Sequence, residues 1–462
     1  MSQVFLAKRA WIDGAWAENV RLVVGANGCW SEITPGVDIG ANAGSALTLD
    51  GPVLPSLVDA HSHAFQRAFA GLAETRESAD DDFWSWRDRM YGLALRLTPD
   101  QLQAIAAQLY VELLKGGYTQ VCEFHYLHHA EDGREYADPL AMSWALCDAA
   151  EAAGLGLTVL PVLYAHAGFA QPSLRADQRR FATDADWIWK AARRVQSAGR
   201  PLINAGVALH SLRAAHGEDI RRLLAQVGDA AVPIHIHIAE QPQEVTDCLK
   251  ATGQRPIEHL CATYRLDARW QLVHATHSQP AEIESVAAAG AGVVICPGTE
   301  ANLGDGHCDL RGWLGAGVPI SMGSDSQVTR AWVEELRWLE YGQRLARGQR
   351  NIAAAPGRQP SSAARLFEAS VAGSGAPAGL GAWGLQVGAR ADFLVMDDQA
   401  DGLLGVPAAH QLDALVFAVS ASPWRSVYVA GQERVCGGRH ANEADIAARF
   451  ARCMAQLWGG TC

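Results

Sequence analysis

The sequence predicts an α/β protein, a (β/α)8 TIM-type barrel with a small flanking β-sandwich domain formed by both termini. Three observations carry this. Strand-like apolar runs alternate with helix-like segments through the middle of the chain. Four of those runs end at metal-binding residue types, in HSH (His61, His63), HIHIAE (His237, Glu240), LVHATH (His274) and GSDS (Asp325). The two ends of the chain share a different texture, of short alternating strands broken by Gly and Asn turns.

In chain order, residues 1–52 hold the first of these short-strand regions, in AWIDGAWAENVRLVVGANG and SALTLDG. About eight barrel strands follow, near 53–58, 119–124, 156–163, 204–209, 232–238, 270–274, 292–296 and 318–323. Eight is the number that closes a barrel. Between them PDQLQAIAAQLYVELLKGG, PLAMSWALCDAAEAAG and DADWIWKAARRVQSAG carry apolar residues at helical spacing. The barrel therefore spans 53–377, and the flanking domain resumes over 378–440 in GARADFLVMD and SVYVAGQERVCGGRH. A helix, EADIAARFARCMAQLW, closes the chain within 441–462. The longest connection, about 35 residues beginning HAFQRAF, follows the first strand, and loops this long in a compact domain are usually functional.

Composition narrows the function classes. A chain of 462 residues with 49% hydrophobic content buries a large core, and its net charge of −12 without any Lys/Arg-rich run argues against nucleic acid and membrane as partners. No stretch approaches the length of a membrane helix and the N-terminus lacks a secretory apolar core, so a cytoplasmic location is expected. The 10 cysteines form no CxxC pair and read as reduced.

The four motifs explain one another as a metal centre on the C-terminal face of the barrel. Residues i and i+2 of a strand face the same way, so His61 and His63 can ligate one ion together. His237 ends the fifth strand as a third nitrogen ligand, and Asp325, just past the eighth, supplies an oxygen; otherwise it would cap the next helix. His235 lies on the same face one layer deeper and reads as a packed barrel histidine. Three histidines and an aspartate suit one divalent ion, Zn2+ best, although Fe2+ or Mn2+ fits the same donors.

The segments VDAHSH, HIHIAE, LVHATH and GSDS resemble, one by one, those of the amidohydrolase superfamily in its mononuclear, deaminase-like branch. Binuclear members bridge their ions with a carboxylated lysine on the fourth strand, and no lysine stands near 204–209, so the resemblance implies one ion per chain. More narrowly, HSHAFQRAFAGLAE, DDFWSWRDRMY, EFHYLHH, PVLYAHAGF, LHSLRA, PGTEANLGDG and VEELRWLEYGQRLA resemble the formimidoylglutamate deiminase family. Members of that family hydrolyse N-formimidoyl-L-glutamate to N-formyl-L-glutamate and ammonia in histidine degradation. The resemblance implies that Gln66, Arg87, Tyr126, His210 and Arg213 bind a small substrate with two carboxylates, and that the chain is a homodimer. Pro297, Gly298 and Gln327 depart from the family pattern.

The chemistry has matching parts. Arg87 and Arg213 can hold carboxylates in bidentate geometry. Asp325 or His274 would take the proton of an activated water, and Glu240 would relay a proton to the departing nitrogen. The alternative within the same branch is a deaminase of a nucleobase or a thioadenosine-type substrate, whose pocket would stack a ring and need no carboxylate clamp.

Overall fold

The computed structural model describes residues 2–42, 44, 46–76, 83–171 and 173–459. Eight parallel strand positions close into a barrel: Leu57–Ser62, Tyr118–His125, Gly156–Leu163, Ile203–Ala205 continued by Val207–Leu209, Ile234–Ile238, Trp270–His274, Gly292–Ile295 and Ile320–Met322. Closure runs through the pairing of Met322 with Asp59 on the first strand. The strands are buried along their length, because helices cover the outside and side chains fill the inside. Gly206 interrupts the fourth strand where the backbone of the fifth comes close; a Cβ there would lie 2.5 Å from the Pro233 carbonyl oxygen.

The expected helices follow from local signals. Pro99–Lys115 opens with a capping box between Thr98 and Gln101, Ala141–Ala153 stops at Gly154 in the left-handed region, and Ala185–Ser197 is capped by Asp184.

The run expected as the first barrel strand at 53–58 is divided. Val53–Pro55 pairs with Ala10 and with Phe393–Val395 of the terminal sheet, and only from Leu57 does the chain enter the barrel. A continuous apolar run carries no mark of that change of sheet. The terminal strands make one nine-stranded, mainly antiparallel sheet that joins residues from both ends of the chain. Its core stacks Phe393 on Tyr428 at 4.2 Å between ring centroids, with Phe5 edge-on to both. The last helix, Glu443–Trp458, returns to the barrel: Trp458 donates its indole N–H to the Ala68 carbonyl at 3.1 Å.

No described helix is long and apolar enough to cross a membrane. The nine described cysteines are all free. Within the long connection after the first strand, Phe83–Ala94 is a helix, while 77–82 lie outside the described residues.

Candidate active site and metal centre

The first, fifth, sixth and eighth strands deliver their polar residues to one point. His61 ends on Nε2 2.9 Å from His237 Nε2, and the Nε2 atoms of His61 and His63 lie 3.5 and 3.4 Å from the same Asp325 oxygen. Close approach here depends on Gly323: a Cβ at that position would lie 2.8 Å from the His61 Cβ. The backbone turns sharply as it leaves the strands, with φ of +51° at Ala239, +69° at His274 and +49° at Asp325, conformations that non-glycine residues seldom adopt and that cluster at functional sites.

These donors fit a divalent cation. Burial pushes His61 down to about 3 and lowers His63 and His237, so all three imidazoles are neutral and carry a lone pair. His63 donates its Nδ1–H to the Phe124 carbonyl at 2.9 Å, which leaves Nε2 as the free donor atom. Burial opposes ionisation of Asp325, yet the hydrogen bond from His61 and the surrounding imidazoles hold its carboxyl well below the usual range. Two imidazole nitrogens only 2.9 Å apart beside a carboxylate are an arrangement that a cation satisfies.

His274 is engaged differently. Its Nε2 lies 3.7 Å from Glu240 and 3.8 Å from Asp325, and its Nδ1 lies 3.4 Å from Glu300. Burial opposes charge on this ring, but Glu240, Glu300 and Asp325 outweigh it and push the group up to about 10. That charge suits an electrostatic and orienting group better than a proton acceptor. Burial pushes Glu240 up, against the attraction of His274. Its loop is clamped by Glu244, whose carboxylate accepts from the Ala239 and Glu240 backbone N–H groups at 3.1 and 3.0 Å.

The predicted substrate residues surround the same pocket: Gln66, Arg87, Tyr126, His210 and Arg213 line it together with His63, His237, Glu240, His274 and Asp325. Gln66 donates to the Tyr126 hydroxyl at 3.4 Å. Arg87 and Arg213 lie over one ring, Trp84, at 4.6 and 5.4 Å from its centroid. Among the described residues Arg213 has no carboxylate partner, and Arg87 has only the exposed Asp88 at 3.4 Å. His235 donates to the Pro377 carbonyl at 2.9 Å, below the site, as its position on the strand predicts. Gln327 does not line the pocket; its side chain donates to Ser62 and to the Asp325 carbonyl at 3.0 and 2.9 Å.

Sequence reasoning missed four supporting residues. Asp59 accepts from the Ser324 backbone N–H at 2.9 Å and its hydroxyl at 2.5 Å, tying the first strand to the residue before Asp325. Its spacing held the signal, since 59, 61 and 63 alternate on one face. Glu123 accepts from Ser62 Oγ at 2.9 Å and the Ala64 N–H at 2.6 Å, bracketing His63. Glu300, in the TEANLGDG segment, orients His274. Tyr91 stands one helical turn beyond Arg87 and lines the pocket with it.

Residues 53–434 match the Amidohydrolase family. Formimidoylglutamate deiminase of Pseudomonas aeruginosa is 45% identical over 461 residues, covering 99% of this chain and 100% of that protein. A 5-methylthioadenosine/S-adenosylhomocysteine deaminase of Natronomonas pharaonis is 28% identical over 85% of this chain and 84% of its own. The crystal structure of an amidohydrolase from Brucella melitensis superposes with a TM-score of 0.92 at 39% identity, covering 98% of this chain and 99% of that one. With the strand-end histidines and aspartate of the site inside the matched span, the chain belongs to the amidohydrolase family.

Proposed function

We propose that the chain hydrolyses N-formimidoyl-L-glutamate to N-formyl-L-glutamate and ammonia, a hydrolase reaction at the C–N bond of a linear amidine. One observation carries this reading. Two guanidinium groups, without a buried carboxylate partner among the described residues, line the pocket that holds the histidine–aspartate cluster and share the Trp84 ring beside it. A substrate with a dicarboxylate end and an amidine end matches both. The similarity to the Pseudomonas aeruginosa deiminase points the same way.

His61, His63, His237 and Asp325 would hold one ion, Zn2+ by the softness of the three imidazoles. When bound, it would supply Lewis acidity and a water acidic enough to lose a proton near neutral pH. Arg87 and Arg213 bind the carboxylates and so fix the formimidoyl carbon at the other end of the pocket. Asp325 takes the proton of the attacking water, and His274, held cationic by three carboxylates, orients it and stabilises negative charge. Addition of the oxygen to the formimidoyl carbon gives a tetrahedral intermediate. Glu240, pushed up by burial, carries a proton to the terminal nitrogen; the C–N bond to that nitrogen breaks, ammonia leaves and the carbonyl forms.

On this reading the chain works as a cytoplasmic homodimer in histidine degradation, without nucleic acid or membrane partners. The test is ammonia release from formimidoylglutamate against release from guanine and 5-methylthioadenosine, with metal content and solution mass measured on the same preparation. Turnover of formimidoylglutamate alone, with one zinc per chain and the mass of a dimer, is expected. Preference for a purine overturns the assignment.

A further inference from the structure

We propose that the Tyr91 hydroxyl is a further substrate-binding group, donating a hydrogen bond to a substrate carboxylate beside Arg87 and Arg213. The inference rests on the dicarboxylate reading above and adds to it a residue that neither motif nor spacing had assigned.

The direction of a hydrogen-bond chain carries it. A backbone N–H can only donate, so the Arg175 N–H, 3.0 Å from Gln178 Oε1, fixes which end of that amide is oxygen. The other end, Nε2, must then donate, and it does so to the Tyr164 hydroxyl oxygen at 2.9 Å. Tyr164 is buried, and among the described residues the one other group within hydrogen-bond reach of its hydroxyl is that of Tyr91, at 3.3 Å. Buried hydroxyls rarely leave a proton unused, so Tyr164 donates to Tyr91. The Tyr91 oxygen has thereby received a hydrogen bond, and its own proton finds no acceptor among the described residues.

That proton is left to face the pocket. Tyr91, unlike Tyr164, lines it. The Arg87 guanidinium lies 5.4 Å from the centroid of the Tyr91 ring, on the helix Phe83–Ala94 that carries both. A neutral donor set among guanidinium groups addresses an anion, and a carboxylate has lone pairs for all of them. The ring is also held in place. Phe181 packs edge-on at 5.2 Å, and the neighbouring Arg180, fully buried, donates to the Leu97 carbonyl at 2.8 Å and to the Ala94 carbonyl at the end of the Tyr91 helix. The segment that starts the donor chain at Gln178 therefore also anchors the helix on which the chain ends.

The experiment measures kcat and KM by ammonia release for the wild type, Tyr91→Phe and Tyr164→Phe. The substrates are formimidoylglutamate and two analogues that each lack one carboxylate, N-formimidoyl-4-aminobutyrate and N-formimidoyl-L-norvaline. Tyr91→Phe is expected to raise KM for formimidoylglutamate roughly ten-fold, the scale of one hydrogen bond to a charged group, while kcat changes far less. The same rise is expected with one analogue and none with the other, which lacks the carboxylate that Tyr91 holds. Tyr164→Phe should show the same pattern more weakly. An equal KM rise on all three substrates, the mark of a merely structural role, overturns the inference, as does an unchanged KM for formimidoylglutamate. A wild type that releases no ammonia from formimidoylglutamate instead overturns the functional reading, and this inference with it.

Discussion

At one end of the pocket His61, His63, His237 and Asp325 stand on, or directly after, strands of a closed sheet. At the other, Arg87 and Tyr91 come from a helix inside a long connection, with Trp84 of the same helix packed behind the arginines, and Arg213 comes from the loop after the fourth strand. The first set is placed by backbone: ladder hydrogen bonds fix the strands, and a left-handed turn at Asp325 re-aims its side chain. The second set is placed by side chains, through the Trp84 ring shared by two guanidinium groups, the Phe181 contact and the Arg180 anchor. On the proposed function, bond-making chemistry, which tolerates little drift, sits on the sheet, and recognition of the substrate's far end sits on loops, which vary without disturbing the barrel.

If that division holds, variants at the two ends fail in different ways, and the largest failure belongs to the strand end. Asp325→Ala is expected to empty the metal centre and to lower turnover by roughly 10^3-fold or more, checked by metal analysis of the purified protein and ammonia release. Retention of both ion and turnover would remove Asp325 from the centre. Glu240→Gln keeps the ion and loses proton transfer, so kcat should fall by roughly 10^2- to 10^4-fold with little change in KM. Activity at the wild-type level would strike Glu240 from the mechanism. Arg213→Ala should leave metal content intact and raise KM by roughly ten- to a hundred-fold, since a charge-assisted contact to the substrate is lost while the reacting end is untouched. A fall in kcat alone would place Arg213 with the chemistry and break the comparison.

The same division governs what the sequence made legible. Seven of the barrel strands fall where the apolar runs put them, and the strand-end motifs meet in space, because a period of two and a hydrophobic run are local properties of the chain. The passage from terminal sheet to barrel at Ser56 was not legible, since both sheets ask for the same apolar residues. At the strand end, Asp59 shared the alternation of His61 and His63 and could have been read; Glu123 and Glu300 reach their partners only through tertiary contact. The loop end was legible only through resemblance. Nothing local to Arg180 says that its guanidinium is buried against three carbonyls from two other segments, or that Gln178 sets the direction of a chain of hydroxyls.

Trp84 gives the smallest and sharpest test of the contrast. Its ring faces Arg87 at 4.6 Å and Arg213 at 5.4 Å, so it packs on both cations of the loop end. Each partly exposed cation–π contact contributes about 0.5–1 kcal/mol, and the arginines keep their charge when the ring is lost. Trp84→Leu should therefore raise KM for the dicarboxylate roughly five-fold, less than loss of Arg213 itself, with kcat and metal content unchanged. Trp84→Phe, which keeps a π face, should recover part of that loss. A Trp84→Leu enzyme with reduced metal content would show that the two ends are coupled through the long connection, and that the barrel alone does not hold the histidines and Asp325 in register.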